Sequence, residues 1–223
     1  MKTPIIDSNS SYSFADYFKL SSYIEEILNE FGYSLERCEY QLPQSRQQLD
    51  RLQDLKDRLR ENLPLLNLNN ETVRREFLIA PVLMDLAHYV RPKIRVEFPL
   101  MLNEQLKGNL DYYLEAQGQV LIIEAKNADL ESGFAQLAVE LIALDKWCET
   151  IEPCLYGAVS TGNIWQFAIL HRKEQGITQD LNLFRVPADL EELLRILIAI
   201  LSQHHLEGAG DGKIVADLMR DQD

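Results

Sequence analysis

The sequence predicts an α/β fold in which helices flank a mixed β-sheet. From residue 70 to residue 170 the apolar spacing changes in the order helix, three strands, helix, strand, strand. The 223 residues are 46% hydrophobic and 26% charged, which excludes wholesale disorder and is enough to bury a core. No apolar run approaches the roughly 20 residues of a membrane-spanning helix, so we expect no membrane partner.

Residues 1–66 are expected to form a helical N-terminal extension. Apolar residues recur at helical spacing from 14 to 31 and stop at Gly32. A seam of leucines then runs through residues 44–62, and Pro64 ends it. The seam is too short for an independent coiled coil. It indicates either a helix packed on its own domain, which we favour, or a contact between two copies of the chain.

Residues 67–187 are expected to form the α/β core. A helix is predicted over residues 70–90 with Asn70 as its N-cap, and Pro92 marks the change to strand spacing. The remaining strands and one long helix are predicted, in chain order, at residues 93–102, 108–116, 119–127, 129–147, 154–160, 164–170 and 177–184.

Residues 188–223 are expected to add C-terminal helices that pack on the core. Asp189 and Glu192 have the spacing of a capping box and precede a broad apolar helical face. The tail that follows is Gly-rich and then weakly helical.

The charge and the cysteines limit the function classes. A net charge of −13 excludes an extended basic surface, the usual footprint of a nucleic-acid-binding protein. Cys38, Cys148 and Cys154 are odd in number and form no C-x-x-C pair, which argues against a disulfide framework or a structural zinc site. Together with a start that lacks the pattern of a secretory signal, this predicts a cytoplasmic protein.

One pair of strands carries the candidate chemistry. If Gln117 and Gly118 form a two-residue hairpin loop, the register places Asp111 directly opposite Glu124. Like charges in facing positions destabilise a sheet, and Glu124 ends an apolar run that resembles a buried central strand. Lys126 lies on the same face as Glu124 because the side chains of a strand alternate.

Two carboxylates and an ammonium group match the requirements of metal-assisted phosphodiester hydrolysis. The carboxylates can hold Mg²⁺, which also takes a substrate phosphate oxygen as ligand. The ammonium group of Lys126 can orient the attacking water or stabilise the charge that develops on the phosphate. The alternative is that Lys126 only neutralises the two acids, as a salt bridge at a strand end.

Asp111 followed by Glu124-Ala125-Lys126 resembles the D-x(n)-(D/E)-x-K signature of the PD-(D/E)XK nuclease superfamily. The predicted element order over residues 70–170 is similar to the restriction-endonuclease-like αβββαβ core, which includes the nuclease domain of type I restriction motor subunits. The resemblance implies a Mg²⁺-dependent nuclease, with Mn²⁺ as a substitute ion. Asp111 and Glu124 would be the metal ligands, and Lys126 the catalytic lysine. No proline precedes Asp111, which departs from the first letter of the signature.

Two further residues are candidates through the same resemblance. Members often carry an acid on the helix before the sheet, and a helical wheel places Glu76 among apolar residues whereas Glu71 points away. The alternatives are an arginine-paired Glu76 at the core edge and a solvated Glu71. Gln136 and Glu140 resemble a helical Q-x-x-x-Y motif with glutamate in place of tyrosine, so Gln136 either faces the site or lies on an exposed polar edge.

Three function hypotheses follow. The first is a metal-dependent nuclease that acts on nucleic acid, with DNA favoured over RNA, and that uses a homodimer or a basic partner subunit to complete a DNA channel. The second is an inactive nuclease fold retained as a binding or assembly module. The third is an unrelated α/β protein with a chance E-x-K sequence. Five basic residues could flank the predicted site and contact phosphates: Arg74, Arg75, Lys93, Arg95 and Lys107.

Overall fold

In the part of the chain that the structure describes, eight β-strands form one mixed sheet with helices on both faces, so the predicted α/β class is confirmed. The computed structural model describes residues 5–7, 10–17, 19–20, 23–126 and 129–202. The helices are α1 Phe14–Tyr17, α2 Ile24–Glu30, α3 Leu52–Asn62, α4 Glu71–Arg74, α5 Ala80–Val90, α6 Leu130–Trp147 and α7 Leu190–Leu201. The strands are β1 Ser34–Cys38, β2 Lys93–Met101, β3 Lys107–Ala116, β4 Gln119–Ala125, β5 Cys154–Ser160, β6 Ile164–His171, β7 Gly176–Asp180 and β8 Phe184–Arg185.

The sheet has the strand order β1-β7-β6-β5-β4-β3-β2, and β8 pairs with β6. β2, β3 and β4 form the predicted antiparallel meander. The long helix α6 then connects β4 to β5, which run parallel. β6 is antiparallel to both β5 and β7. The order helix, three strands, helix, strand, strand is therefore present as predicted.

The hairpin between β3 and β4 has the predicted register. Ala116 faces Gln119, and the loop consists of Gln117 and Gly118. Both loop residues have positive φ, at 52° and 84°, which is the conformation of a tight hairpin turn. Glycine suits position 118 because it has no Cβ atom that would clash with its own backbone at positive φ.

The side chains of the sheet divide into two apolar layers. α3, α5 and α7 cover one face, where Leu121, Ile123 and Ala125 of β4 are buried. α1, α2 and α6 cover the other face, where Val120 and Ile122 are buried. A central strand that is buried on both faces explains the unbroken apolar run in its sequence.

The N-terminal extension differs from the prediction in two respects. The single helix expected over residues 14–31 is instead two short helices, α1 and α2, with residues 18, 21 and 22 outside the described part. The extension also contains a strand, β1, that adds to the sheet by pairing in parallel with β7. The helix predicted from residue 44 begins at Leu52. The boundary between residues 66 and 67 stays a prediction.

The helix predicted over residues 70–90 is interrupted by a wider turn. α4 begins after Asn70, whose side chain accepts a hydrogen bond from the Thr72 N–H at 2.8 Å, so the predicted N-cap is confirmed. A π-helical segment, Arg75–Ile79, then separates α4 from α5. A π turn adds a residue to the helical repeat, so side chains beyond it point in directions that a regular wheel does not predict.

The C-terminal part of the prediction is confirmed for α7, which packs on α5 and β4. The predicted capping box is wrong, because the Asp189 side chain makes no capping hydrogen bond to α7. It accepts a hydrogen bond from the Arg185 side chain instead. The strand expected over residues 177–184 is divided into β7 and β8. The tail predicted as weakly helical lies outside the described residues. Among the helices of the described chain, none has the length and apolar character needed to cross a membrane.

Candidate functional site

The ends of β3 and β4 bring together three of the predicted site residues. Tyr112 faces Ile123 in the ladder, so the next facing positions are Asp111 and Glu124. The Asp111 Oδ2 atom accepts a hydrogen bond from the Ala125 N–H at 2.8 Å, which ties the end of β3 to β4.

Lys126 contacts Glu124 directly, as the alternation of a strand requires. Its Nζ atom lies 2.7 Å from Glu124 Oε1. The Lys126 N–H still donates to the Ser160 carbonyl at 2.8 Å, so the backbone continues the β4–β5 ladder at this residue. This ladder bond holds the Lys126 side chain on the Glu124 face.

Gly133 lets α6 approach Lys126 closely. A Cβ atom at this position would lie 2.5 Å from Val159 Cγ2 and 2.7 Å from Lys126 Cγ. Contacts this short do not occur in folded proteins, so only glycine fits here without a shift of its neighbours. The first turn of α6 therefore packs against the stem of the lysine, a feature that the sequence analysis missed.

Gln136 faces the site and does not lie on an exposed edge. It is buried, and its Oε1 atom accepts a hydrogen bond from Lys126 Nζ at 2.9 Å. One helical turn further on, Glu140 Oε1 accepts a hydrogen bond from Gln136 Nε2 at 2.8 Å. Gly133, Gln136 and Glu140 thus form one stripe of α6 that faces the end of β4.

Glu140 is a member of the site that the sequence analysis did not select. Its side chain is 1% exposed because the sheet lies on one side of α6 and α1 and α2 cover other parts of the helix. Its four-residue spacing from Gln136 was visible in the sequence. The spacing alone did not show whether this polar seam faced solvent or the sheet.

Burial controls the protonation of the three carboxyl groups. It is the largest cause that raises the pKa of Asp111, of Glu124 and of Glu140 above their ordinary values. The charge of Asp111 raises the pKa of Glu124 further, so these two groups are close enough to interact. Lys126 and the N–H of Ala125 act in the opposite direction on Glu124 and Asp111 respectively.

Glu124 has an unsatisfied oxygen atom. Its Oε2 atom is buried and receives no hydrogen bond from the described residues, and Glu124 as a whole is 2% exposed. The charge of Glu124 raises the pKa of the neighbouring Glu140 further, so these two carboxyl groups also lie close together. A hydrogen-bond donor or a bound cation would satisfy the Glu124 Oε2 atom.

Arg75 reaches the site from the π-helical segment. Its guanidinium group lies 2.7 Å from Glu97 Oε1 and 3.4 Å from Asp111 Oδ1, and it stacks over the ring of Tyr112. The β2–β3 ladder skips Glu97 and Asp111, and Glu97 has a φ of 52°. A left-handed conformation costs energy in a residue other than glycine, and such strain is often found at functional sites.

The burial expected for Glu76 is wrong. Glu76 and its neighbour Phe77 are both exposed. The charge of Glu76 contributes to the raised pKa of Tyr112. The π turn changes the helical repeat at this point and presents Arg75, not Glu76, to Asp111. A site role for Glu76 stays a prediction.

The donor set determines which ion could bind. Within the described residues, no three His, Cys, Asp or Glu side chains are grouped so that they could hold a metal ion. Asp111 and Glu124 offer carboxylate oxygens only, which suits a hard cation that keeps several waters and takes further ligands from its substrate. The unsatisfied Glu124 Oε2 fits this type of binding. The residues present therefore fit Mg²⁺ or Mn²⁺ better than a soft metal.

Comparison of the chain with protein-family models, curated proteins and solved structures finds no match. Functional conclusions therefore depend on the geometry of the site.

Proposed function

We propose that this protein is a metal-dependent nuclease of the PD-(D/E)XK type that hydrolyses phosphodiester bonds, with DNA favoured over RNA. One observation carries the proposal: Asp111 and Glu124 occupy the next positions beyond Tyr112 and Ile123, the last facing pair of the β3–β4 ladder, and Lys126 lies 2.7 Å from Glu124. The order of α5, β2, β3, β4, α6 and β5 also corresponds to the αβββαβ order of that superfamily.

Each residue has a separate task in this proposal. Asp111 and Glu124 bind the cation, which would polarise the phosphate and lower the pKa of a bound water. The Lys126 ammonium group orients the attacking water or stabilises the negative charge of the transition state. Gln136 holds that ammonium group through its Oε1 atom.

The net charge of −13 opposes binding to a polyanion. Among the described residues, Arg75 contacts Asp111 as a cation. Its positive charge is already compensated by the ion pairs with Glu97 and Asp111. We therefore propose modest affinity for nucleic acid by the single chain and a homodimer or a basic partner subunit to complete the channel.

The test compares Lys126→Ala with Asp111→Asn. Mg²⁺- and Mn²⁺-dependent cleavage of linear double-stranded DNA, single-stranded DNA and RNA is measured together with Mn²⁺ binding by calorimetry. Lys126→Ala should abolish cleavage and leave Mn²⁺ binding equal or tighter, because it removes a positive charge beside the ligands. Asp111→Asn should weaken both, because it removes one of the few anionic ligands.

The matched control is Lys173→Ala, which removes an exposed lysine in the turn between β6 and β7 and should change neither readout. Undiminished cleavage by Lys126→Ala would refute the mechanism. A wild-type protein that binds Mn²⁺ but cleaves no substrate would favour the inactive binding module.

A further inference from the structure

We propose that Glu140 is a positioning residue that fixes the orientation of the Gln136 amide and, through it, the place of the Lys126 ammonium group. The inference rests on the proposed function for its catalytic consequence, whereas the positioning itself can be measured without any activity. It assigns a role to a fully buried glutamate that the hydrolytic proposal does not use.

The first step is the chemistry of the Gln136 side chain. An amide can present its oxygen or its NH₂ group to a given neighbour after a half turn of the terminal torsion. A lysine ammonium group has donors only, so Lys126 can be bound only by the amide oxygen. With the amide reversed, two donors would face each other and the Lys126–Gln136 bond would be lost.

The second step is the contact that prevents this reversal. Gln136 Nε2 donates to Glu140 Oε1 at 2.8 Å, and both side chains are buried. The oxygen accepts this bond whether the carboxyl group is ionised or protonated, so the role of Glu140 needs no particular protonation state. A buried NH₂ group that lost its acceptor would be costly, which favours the observed amide orientation.

The third step connects this pair to the reacting end of the site. Gln136 Oε1 lies 2.9 Å from Lys126 Nζ, which in turn lies 2.7 Å from Glu124 Oε1. The Lys126 ammonium group is therefore bound from two directions, by an acceptor on β4 and by an acceptor on α6. Loss of the α6 acceptor removes one of these directional constraints on the flexible lysine side chain.

The chain of contacts predicts different results for two substitutions of one residue. Glu140→Leu removes the acceptor at similar volume, so the amide of Gln136 loses its constraint. Glu140→Gln keeps a carbonyl oxygen that can accept the hydrogen bond from Gln136. A metal ligand or an essential charge would be lost equally in both variants.

Two readouts are measured on the full chain. The side-chain ammonium resonance of Lys126, recorded by ¹H–¹⁵N correlation and assigned by its loss in Lys126→Arg, reports how firmly the group is held. Steady-state cleavage kinetics then separate kcat from KM. Glu131→Leu and Glu131→Gln, at an exposed position of the same helix, are the matched controls.

We expect Glu140→Leu to broaden or shift the Lys126 resonance and to lower kcat by about 10–100-fold with KM nearly unchanged, the range found for partners that orient site residues. Glu140→Gln should restore the resonance and retain most of the kcat. Gln136→Leu should reproduce Glu140→Leu, and the double variant should be no worse than Gln136→Leu alone, since Glu140 acts through Gln136.

Three results would overturn the inference. The first is equal loss in Glu140→Gln and Glu140→Leu, which would assign Glu140 a charge or ligand role. The second is an unchanged Lys126 resonance in Glu140→Leu. The third is additive losses in the double variant. If Glu140→Leu does not fold, a Lys126 resonance that is lost in Glu140→Gln overturns the inference, and one that is retained in Glu140→Gln but lost in Gln136→Leu supports it. An inert wild type would refute the proposed function, and the resonance would still test the positioning.

Discussion

Each carboxylate predicted to bind metal faces a cation of its own chain. Lys126 contacts Glu124, and Arg75 lies 3.4 Å from Asp111. Two buried or half-buried negative charges at the end of a sheet would otherwise be costly, and the two cations offset this cost. An incoming divalent ion must therefore share these carboxylates with Lys126 and Arg75 or displace them.

The raised pKa of the buried Glu140 predicts how the stability of the fold changes with pH. Burial raises the pKa of Glu140 well above its ordinary value of 4.5, so the folded chain binds this proton more tightly than the unfolded chain. The stabilisation from Glu140 is fully present below pH 4.5 and decreases as the pH rises towards the folded-state pKa.

We therefore expect Glu140→Gln to be more stable than the wild type at pH 8 and to show little difference at pH 4, roughly the ordinary pKa of a glutamate. Urea unfolding in metal-free buffer across this range measures the difference between the two curves. The comparison removes the contributions of the groups that do not interact with Glu140, which the two proteins share. A wild type that gains stability relative to Glu140→Gln as the pH rises would contradict the burial of a protonated Glu140.

At the scale of elements, the close approach of α6 to β4 is what places Gln136 beside Lys126. Gly133 permits this approach because a side chain there would overlap Val159 and the stem of Lys126. An alanine is normally more favourable than glycine inside a helix, by about 1 kcal/mol. The packing and the helix propensity thus predict effects of opposite sign.

We expect packing to dominate, so that Gly133→Ala lowers the free energy of unfolding by about 1–3 kcal/mol. It should also lower the proposed Mg²⁺-dependent cleavage, since it moves the Lys126 stem. Chemical denaturation measures the first effect, and Glu131→Ala, at an exposed position two residues earlier, is the control. A more stable Gly133→Ala protein would show that α6 can move away from β4 at no cost.

The π-helical segment has a comparable effect on the other side of the site. It changes which residues of the helix before the sheet point towards β3, so Arg75 reaches Asp111 and Glu76 stays exposed. Arg74, the preceding residue, has a structural role instead and donates to the Thr161 carbonyl in the β5–β6 hairpin at 2.7 Å. Two neighbouring arginines thus serve different parts of the molecule.

At the scale of the whole molecule, the N-terminal extension is part of the fold. β1 pairs with β7, α1 and α2 pack against α6, and Leu55 and Leu59 of α3 are buried in the layer that contains α7. Removal of residues 1–66 would expose an edge of the sheet and the outer side of the helix that carries Gln136 and Glu140.

We accordingly expect a chain that starts at residue 67 to lose cooperative thermal unfolding and to expose apolar surface that binds a hydrophobic dye. Addition of residues 1–66 as a separate chain is the control and should restore cooperativity in part. Calorimetry and dye fluorescence measure both. If the shortened chain unfolds cooperatively at the wild-type temperature, the predicted boundary at residue 66 is a true domain boundary.

The facing positions of Asp111 and Glu124 could be predicted from the sequence because they depend only on local geometry. The alternation of a strand and the two-residue loop at Gln117 and Gly118 determine the register, and the structure has this register. The same alternation determines that Lys126 contacts Glu124. These relations need no information about distant parts of the chain.

Tertiary contacts decided the rest of the site. The spacing of Gln136 and Glu140 is local, but their burial depends on the sheet and also on α1 and α2, and these two helices are distant in sequence. β1 could not be recognised by its own short sequence because its partner lies far along the chain, where Arg37 and Gln179 are 142 residues apart. The local sequence therefore determines which face each side chain occupies, whereas long-range packing determines which faces are buried and which buried groups meet.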